Sequence, residues 1–76
     1  MTSITRAHIN IIATGAQSSS IELLDINGRK MVSKPIHLSA GNNALSLNHL
    51  HQYGKGTYFI KIFADGENHF QKIIIK

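Results

Sequence analysis

The chain has 76 residues, one small domain's worth, and a chain of that length buries only about 60–65% of its unfolded surface. It contains no cysteine, which excludes a disulfide framework and a cysteine-ligated zinc and leaves the compartment open. Eight Lys+Arg against four Asp+Glu give a net charge of +4, yet the basic residues are dispersed as Arg6, Arg29, Lys30, Lys34, Lys55, Lys61, Lys72 and Lys76, without the clustering that nucleic-acid binding uses.

No apolar run approaches the roughly 18 residues of a membrane span, so the sequence is not read as membrane-spanning. The first residues, Met1-Thr-Ser-Ile-Thr-Arg6, lack the charged region, apolar core and cleavage site of a secretory leader. If the domain is exported, its leader lies elsewhere, and the chain is an excised piece of a longer protein.

A first strand is predicted over residues 7–14, where His8 and Asn10 alternate with Ile9 and Ile11. Ile12 breaks the alternation and is expected at a bulge or a position covered on both sides. Residues 15–20, Gly-Ala-Gln-Ser-Ser-Ser, read as a turn. A second strand follows over 21–26, with Ile21 and Leu23 on one face and Leu24 and Ile26 on the other. Asp25-Ile-Asn-Gly-Arg29 is the clearest turn. It is either a two-residue type I′ turn at Asn27-Gly28 or a type I turn begun by Asp25 with Gly28 left-handed in a bulge. The second is preferred, because an Asp at the first position accepts a backbone N–H from two residues on.

A third strand over 30–38 contains Pro35, which has no N–H to give and belongs at a sheet edge or a crossing between sheets. Residues 39–43 read as a turn, and 44–47 as a short strand with Leu45 and Leu47 on one face. The connection 48–56 has room for one helical turn whose Leu50 and Tyr53 plug the end of the core. The closing hairpin places Tyr58, Ile60 and Ile62 on one face, turns at Asp65-Gly66, and returns over 70–75. Six such strands with turn signals every 8–12 residues or so predict an all-β antiparallel sandwich.

Candidate sites are sparse. Asp25 and Asp65 both stand where a turn has its own use for Asp, so no carboxylate pair is evident and no enzyme is expected. His8, His37, His49, His51 and His69 include one close pair, His49-x-His51, but no predictable third ligand, so no metal or other cofactor is expected. A carbohydrate platform would need outward aromatics. Tyr53, Tyr58, Phe59, Phe63 and Phe70 are available, with no tryptophan. Phe59 and Phe63, on the face opposite Tyr58, either make a small outer patch or, the preferred reading, pack under Leu50, Tyr53 or the neighbouring sheet.

Three stretches in order resemble one family. Ile21-Glu-Leu-Leu-Asp-Ile-Asn-Gly-Arg-Lys-Met-Val32 resembles a strand, Asp-x-x-Gly-Arg/Lys turn and strand. Leu38-Ser-Ala-Gly-Asn-Asn-Ala-Leu-Ser-Leu-Asn-His-Leu50 resembles a Gly-x-Asn turn followed by a Leu-x-Leu strand. Gly56-Thr-Tyr-Phe-Ile-Lys-Ile62 and Gln71-Lys-Ile-Ile-Ile-Lys76 resemble a Gly-x-Tyr strand, with Gly56 and Tyr58 as its marks, and a Lys-rich apolar strand. Together they resemble the type A C-terminal sorting domain of the Bacteroidetes type IX secretion system. The family's Pro-Asn-Pro motif before its first strand is absent.

The resemblance implies an immunoglobulin-like antiparallel β-sandwich of six to seven strands and a sorting signal in place of an activity. Such a signal directs an N-terminal cargo domain through the periplasm and the outer-membrane translocon to the cell surface or medium. In many cases a sortase-like protease then removes the signal, and the cargo is anchored at the surface or released. The domain would be peripheral to the outer membrane. Lys61, Lys72, Ile73, Ile74, Ile75 and Lys76 are the candidates for translocon recognition; Asp25, Gly28, Asp65 and Gly66 are candidates for turn formation alone. The alternative is a small extracellular module that binds carbohydrate or protein beside a surface enzyme.

Overall fold

The computed structural model describes residues 6–76; residues 1–5 of the stretch read above for a leader lie outside that range. Six strands follow in order: β1 (Ala7–Ala13), β2 (Gln17–Leu24), β3 (Lys30–Leu38), β4 (Gly41–Leu47), β5 (Gly56–Ala64) and β6 (Glu67–Ile75). A 3₁₀ turn, η1 (Leu50–Tyr53), lies between β4 and β5. All pairings are antiparallel. One sheet holds β1 and β4, the other holds β3-β2-β5-β6 in that order. The fold is the expected all-β, immunoglobulin-like sandwich.

Period-two alternation builds the core. Ala7, Ile9, Ile11 and Ala13 of β1 are buried and the residues between them are exposed. Opposite them, Ile21 and Leu23 of β2 stand in register with Ile62 and Ile60 of β5, and all four are essentially inaccessible. Leu38, Leu47 and Leu50 close the ends, each buried. Burying a side chain of this size is worth about 1.5–3 kcal/mol, and among the described residues the core contains no polar or charged residue.

Several boundaries differ from the sequence reading. Residues 17–20 are not a turn. Gln17, Ser18, Ser19 and Ser20 pair with Leu38, His37, Ile36 and Pro35, and the turn shrinks to residues around Thr14-Gly15. The strong partner strand β3 overrides the weak β-propensity of serine. The second strand ends at Leu24, and Ile26 sits in the turn with 70% exposure. β4 begins at Gly41 because residues 41–43 already pair with β1, and β6 begins at Glu67. Ile12 occupies neither a bulge nor a covered site; the β1–β4 register is regular there and Ile12 points to solvent.

β3 and β6 are the edges of the larger sheet. Pro35 lies within β3, an edge strand of the larger sheet, where a residue without an N–H is tolerated.

Candidate functional site

The three Asp- or Asn-centred turns fix the sheet geometry. At the β2–β3 turn, the Gly28 N–H donates to the Asp25 carbonyl at 2.9 Å, and the Asp25 N–H donates to the Arg29 carbonyl at 2.9 Å. Asp25 Oδ1 accepts from the Asn27 N–H at 2.9 Å and the Arg29 N–H at 2.8 Å. Gly28 has φ 84° and Asn27 does not have a positive φ. That combination is a type I turn with a left-handed Gly, and it excludes the type I′ alternative, which needs two successive positive φ values. The ladder shifts register between Leu23 and Leu24, as a bulge requires.

At the β5–β6 turn both central residues are left-handed, Asp65 at φ 52° and Gly66 at φ 79°, so this hairpin does take the type I′ form. Asp65 also has a role that its place in the turn does not reveal. Its carboxylate accepts from the Thr14 hydroxyl at 2.8 Å, the Gln17 amide at 2.9 Å and the Thr14 backbone N–H, while its own N–H donates to Gln17 Oε1 at 3.0 Å. These bonds tie the closing hairpin to the β1–β2 connection across 48 and 51 residues of sequence. Asn43 does a similar job: its side chain accepts from the Ser39 N–H and donates to the Ser39 and Gly41 carbonyls.

Gly56 opens β5 opposite Ile75. Tyr58 is buried, and its hydroxyl donates toward the Tyr53 carbonyl at 2.6 Å and the Gly54 carbonyl at 3.1 Å. The ring thereby fills the core while its polar tip satisfies the end of η1. Leu50 of η1 is fully buried and Tyr53 is half-buried against the core, as expected of a plug.

The candidate recognition residues divide between two faces. Residues opposite one another in an antiparallel ladder share a face. Ile73 and Ile75 stand opposite Tyr58 and Gly56 and point inward; Ile75 is buried and Ile73 half-buried. Lys61, Lys72 and Ile74 lie on the outer face of β5 and β6, and Lys76 is exposed beyond β6. Lys61 does not stand alone: its Nζ is 3.5 Å from Glu22, which also meets Lys30 at 3.3 Å. Phe59 and Phe63 also lie on this outer face rather than under Leu50 or Tyr53, and Phe63 is 49% exposed. They alternate with Tyr58, Ile60 and Ile62, which already fill the inner side.

Two open grooves flank the sandwich. One, of about 220 Å³, runs between β1 and β6 and is lined by Ile9, Asn10, Ile62, His69 and Gln71 among others. The second, of about 400 Å³, lies by η1 with Lys34, His49 and Tyr53 on its rim. Neither lining includes a carboxylate, serine or threonine. Among the described residues no group of three His, Asp or Glu side chains is placed to hold a metal, and no helix is long and apolar enough to cross a membrane.

The family model for the secretion system C-terminal sorting domain matches residues 5–76. The chain belongs to that family. It is a C-terminal sorting signal of the type IX secretion system, which implies a cargo protein, the secretion machinery, and export to the cell surface or the extracellular space. The family is one of sorting signals, not enzymes. No curated protein and no solved structure gives a significant match.

Acid should weaken the sorting domain through its turns. Hydrogen bonds from the Arg29 and Asn27 backbone hold the Asp25 carboxyl below its ordinary range. The Gln17 and Thr14 bonds do the same for Asp65. Partial burial pushes Glu22 up, but Lys30 and Lys61 together outweigh it and leave the carboxyl lowered. Each group has a lower pKa folded than unfolded, so its stabilisation is complete above the ordinary carboxylate value near about 4 and is lost as pH falls below it. The melting temperature should therefore drop as pH falls from about 4.5 toward 3, and Asp65→Asn should lessen the drop. A melting temperature that ignores pH over that window would refute the turn linkage.

Proposed function

We propose that β6 is the element of the sorting domain that the export machinery reads. The observation that carries this reading is the place of β6 at the edge of the four-stranded sheet, with β5 on one side and, among the described residues, no strand on the other. An edge strand offers backbone N–H and C=O groups to an added strand, and main-chain pairing gives affinity without demanding one side-chain sequence. Ile73 and Ile75 hold the strand in the sandwich; Lys72 and Lys76, with Lys61 beside them, steer an acidic partner toward it. In the finer course of events the signal passes its cargo through the periplasm, engages the outer-membrane translocon as a peripheral domain, and is removed by a sortase-like protease as the cargo is anchored or released. The alternative of a carbohydrate- or protein-binding module predicts glycan or partner binding with no effect on export.

The test is a reporter fused ahead of the domain in a bacterium with a working type IX system. Deleting residues 71–76 should abolish export. Because the deletion removes Ile75 from the core, the paired change Lys72→Ala with Lys76→Ala is the sharper probe. It should reduce export and leave the melting temperature unchanged. Full export of that variant would make the two lysines bystanders, and export surviving the deletion would move the signal away from β6.

A further inference from the structure

The outer face of the larger sheet has two unlike halves. Over β2 and β3 it is mostly polar, with Ser18, Ser20, Glu22, Ser33 and His37, and its apolar members are Leu24 beside Phe59 and Pro35. Over β5 and β6 it carries Phe59, Phe63, Phe70 and Ile74, with Lys61 and Lys72 among them. The register places Phe70 opposite Lys61, and hence diagonal to both Phe59 and Phe63, within reach of aromatic side chains. Phe70 is 60% exposed, and Phe63 and Ile74 are each 49% exposed.

The inward side of β6 is apolar at Ile73 and Ile75, which pack on the core, and polar over the first half of the strand. In that first half Glu67, His69 and Gln71 stand opposite the buried Ala64, Ile62 and Ile60, and all three are polar and exposed. The outward positions of β6 include Phe70 and Ile74. Contiguous exposed apolar side chains of this kind mark an interaction surface.

Charge selects the occupant. Glu22 is the acid of this face, and Lys30 and Lys61 already neutralise it, so the face is net positive around Lys72. An anionic bilayer is recognised by clusters of about four to eight basic residues, far more than stand here. A second copy packed face to face would bring Lys61 and Lys72 of both chains together. We propose that the outer face of β5–β6, centred on Phe70, docks onto a folded protein whose apolar pocket takes the phenylalanine rings and whose carboxylates meet Lys72. The proposal rests on the chain's reading as a sorting signal, and it assigns recognition to a sheet face in addition to the β6 edge.

The same reporter fusion tests it, with Phe63→Thr and Phe70→Thr combined. Threonine suits an exposed strand position, so the variant should melt at or near the wild-type temperature. Export should fall about tenfold or more, as expected when central aromatic anchors are truncated. Phe70→Tyr keeps the ring and should export close to wild type. Should the double variant unfold, Phe70→Ser alone serves, since its site is 60% exposed. Full export of a folded Phe70 variant overturns the face and leaves the sorting reading standing; retention of the wild-type fusion overturns both. Binding of the purified domain to phosphatidylglycerol vesicles, or its self-association, overturns the assigned occupant if the Phe70 change abolishes it.

Discussion

Leu50→Ala should cost about 2–5 kcal/mol, the usual range for truncating a buried leucine, and lower the melting temperature by roughly 10–30 °C. Leu50 is completely inaccessible although it comes from a four-residue 3₁₀ turn rather than from a strand. Strand residues have neighbours on the same ladder that can shift into a cavity. η1 has no such ladder; its tether is the Tyr58 hydroxyl on the Tyr53 and Gly54 carbonyls. The left-handed His49 before it leaves little freedom to collapse inward. A domain of this size has a total stability of only about 4–11 kcal/mol, so the variant should be partly unfolded at moderate temperature. Tyr58→Phe makes the comparison: it keeps the ring in the core, removes the tether, and should cost only about 0.5–1.5 kcal/mol. Equal melting temperatures for Leu50→Ala and wild type, read by circular dichroism, would mean that the end of the sandwich is not closed by η1.

Much of this arrangement is legible in the sequence wherever a local pattern has one physical meaning. Ile9 and Ile11, Ile60 and Ile62, and Leu45 and Leu47 announce their strands by alternation. Asp25 and Gly28 announce their turn by the hydrogen bonds and positive φ that only such residues give without strain. Pro35 announces an edge. What was not legible depends on partners far away in the chain. Gln17 to Ser20 look like a loop until β3 lies beside them. The bonds of Asp65 to Thr14 and Gln17 span most of the chain and leave no mark at either end. The outward placement of Phe59 and Phe63 follows from alternation with Tyr58, Ile60 and Ile62, but which face is inward is decided by the opposing sheet. The polar inner positions of β6 have a related origin. Glu67, His69 and Gln71 are exposed on the inner side of β6, so they are not asked to be apolar, unlike Ile73 and Ile75 further along the strand.

Gly28→Val tests the turn that sets the register of β2 and β3. A Cβ at Gly28 would meet no atom within 4 Å, so neighbours impose no penalty. The penalty is conformational: at φ 84° a side chain crowds its own backbone, and a β-branched one most of all. The cost should be about 1–3 kcal/mol, or roughly 4–20 °C in melting temperature. Gly28→Asn separates this cause from any other. Asparagine enters the left-handed region with a smaller penalty, so it should recover most of the loss although it is as large as valine. If both variants melt together, bulk and not φ is at fault. The direction of the effect on the rest of the domain follows from the Asp25 bonds. Without the left-handed Gly28, the Gly28 and Arg29 N–H groups lose their alignment on Asp25, and the bulge beyond Leu23 loses the geometry that brings Lys30 to Glu22. Glu22 would then lean on Lys61 alone. The Val variant should therefore also lose part of the acid sensitivity that Asp25 and Glu22 confer, while Asp65, on the opposite hairpin, retains its share.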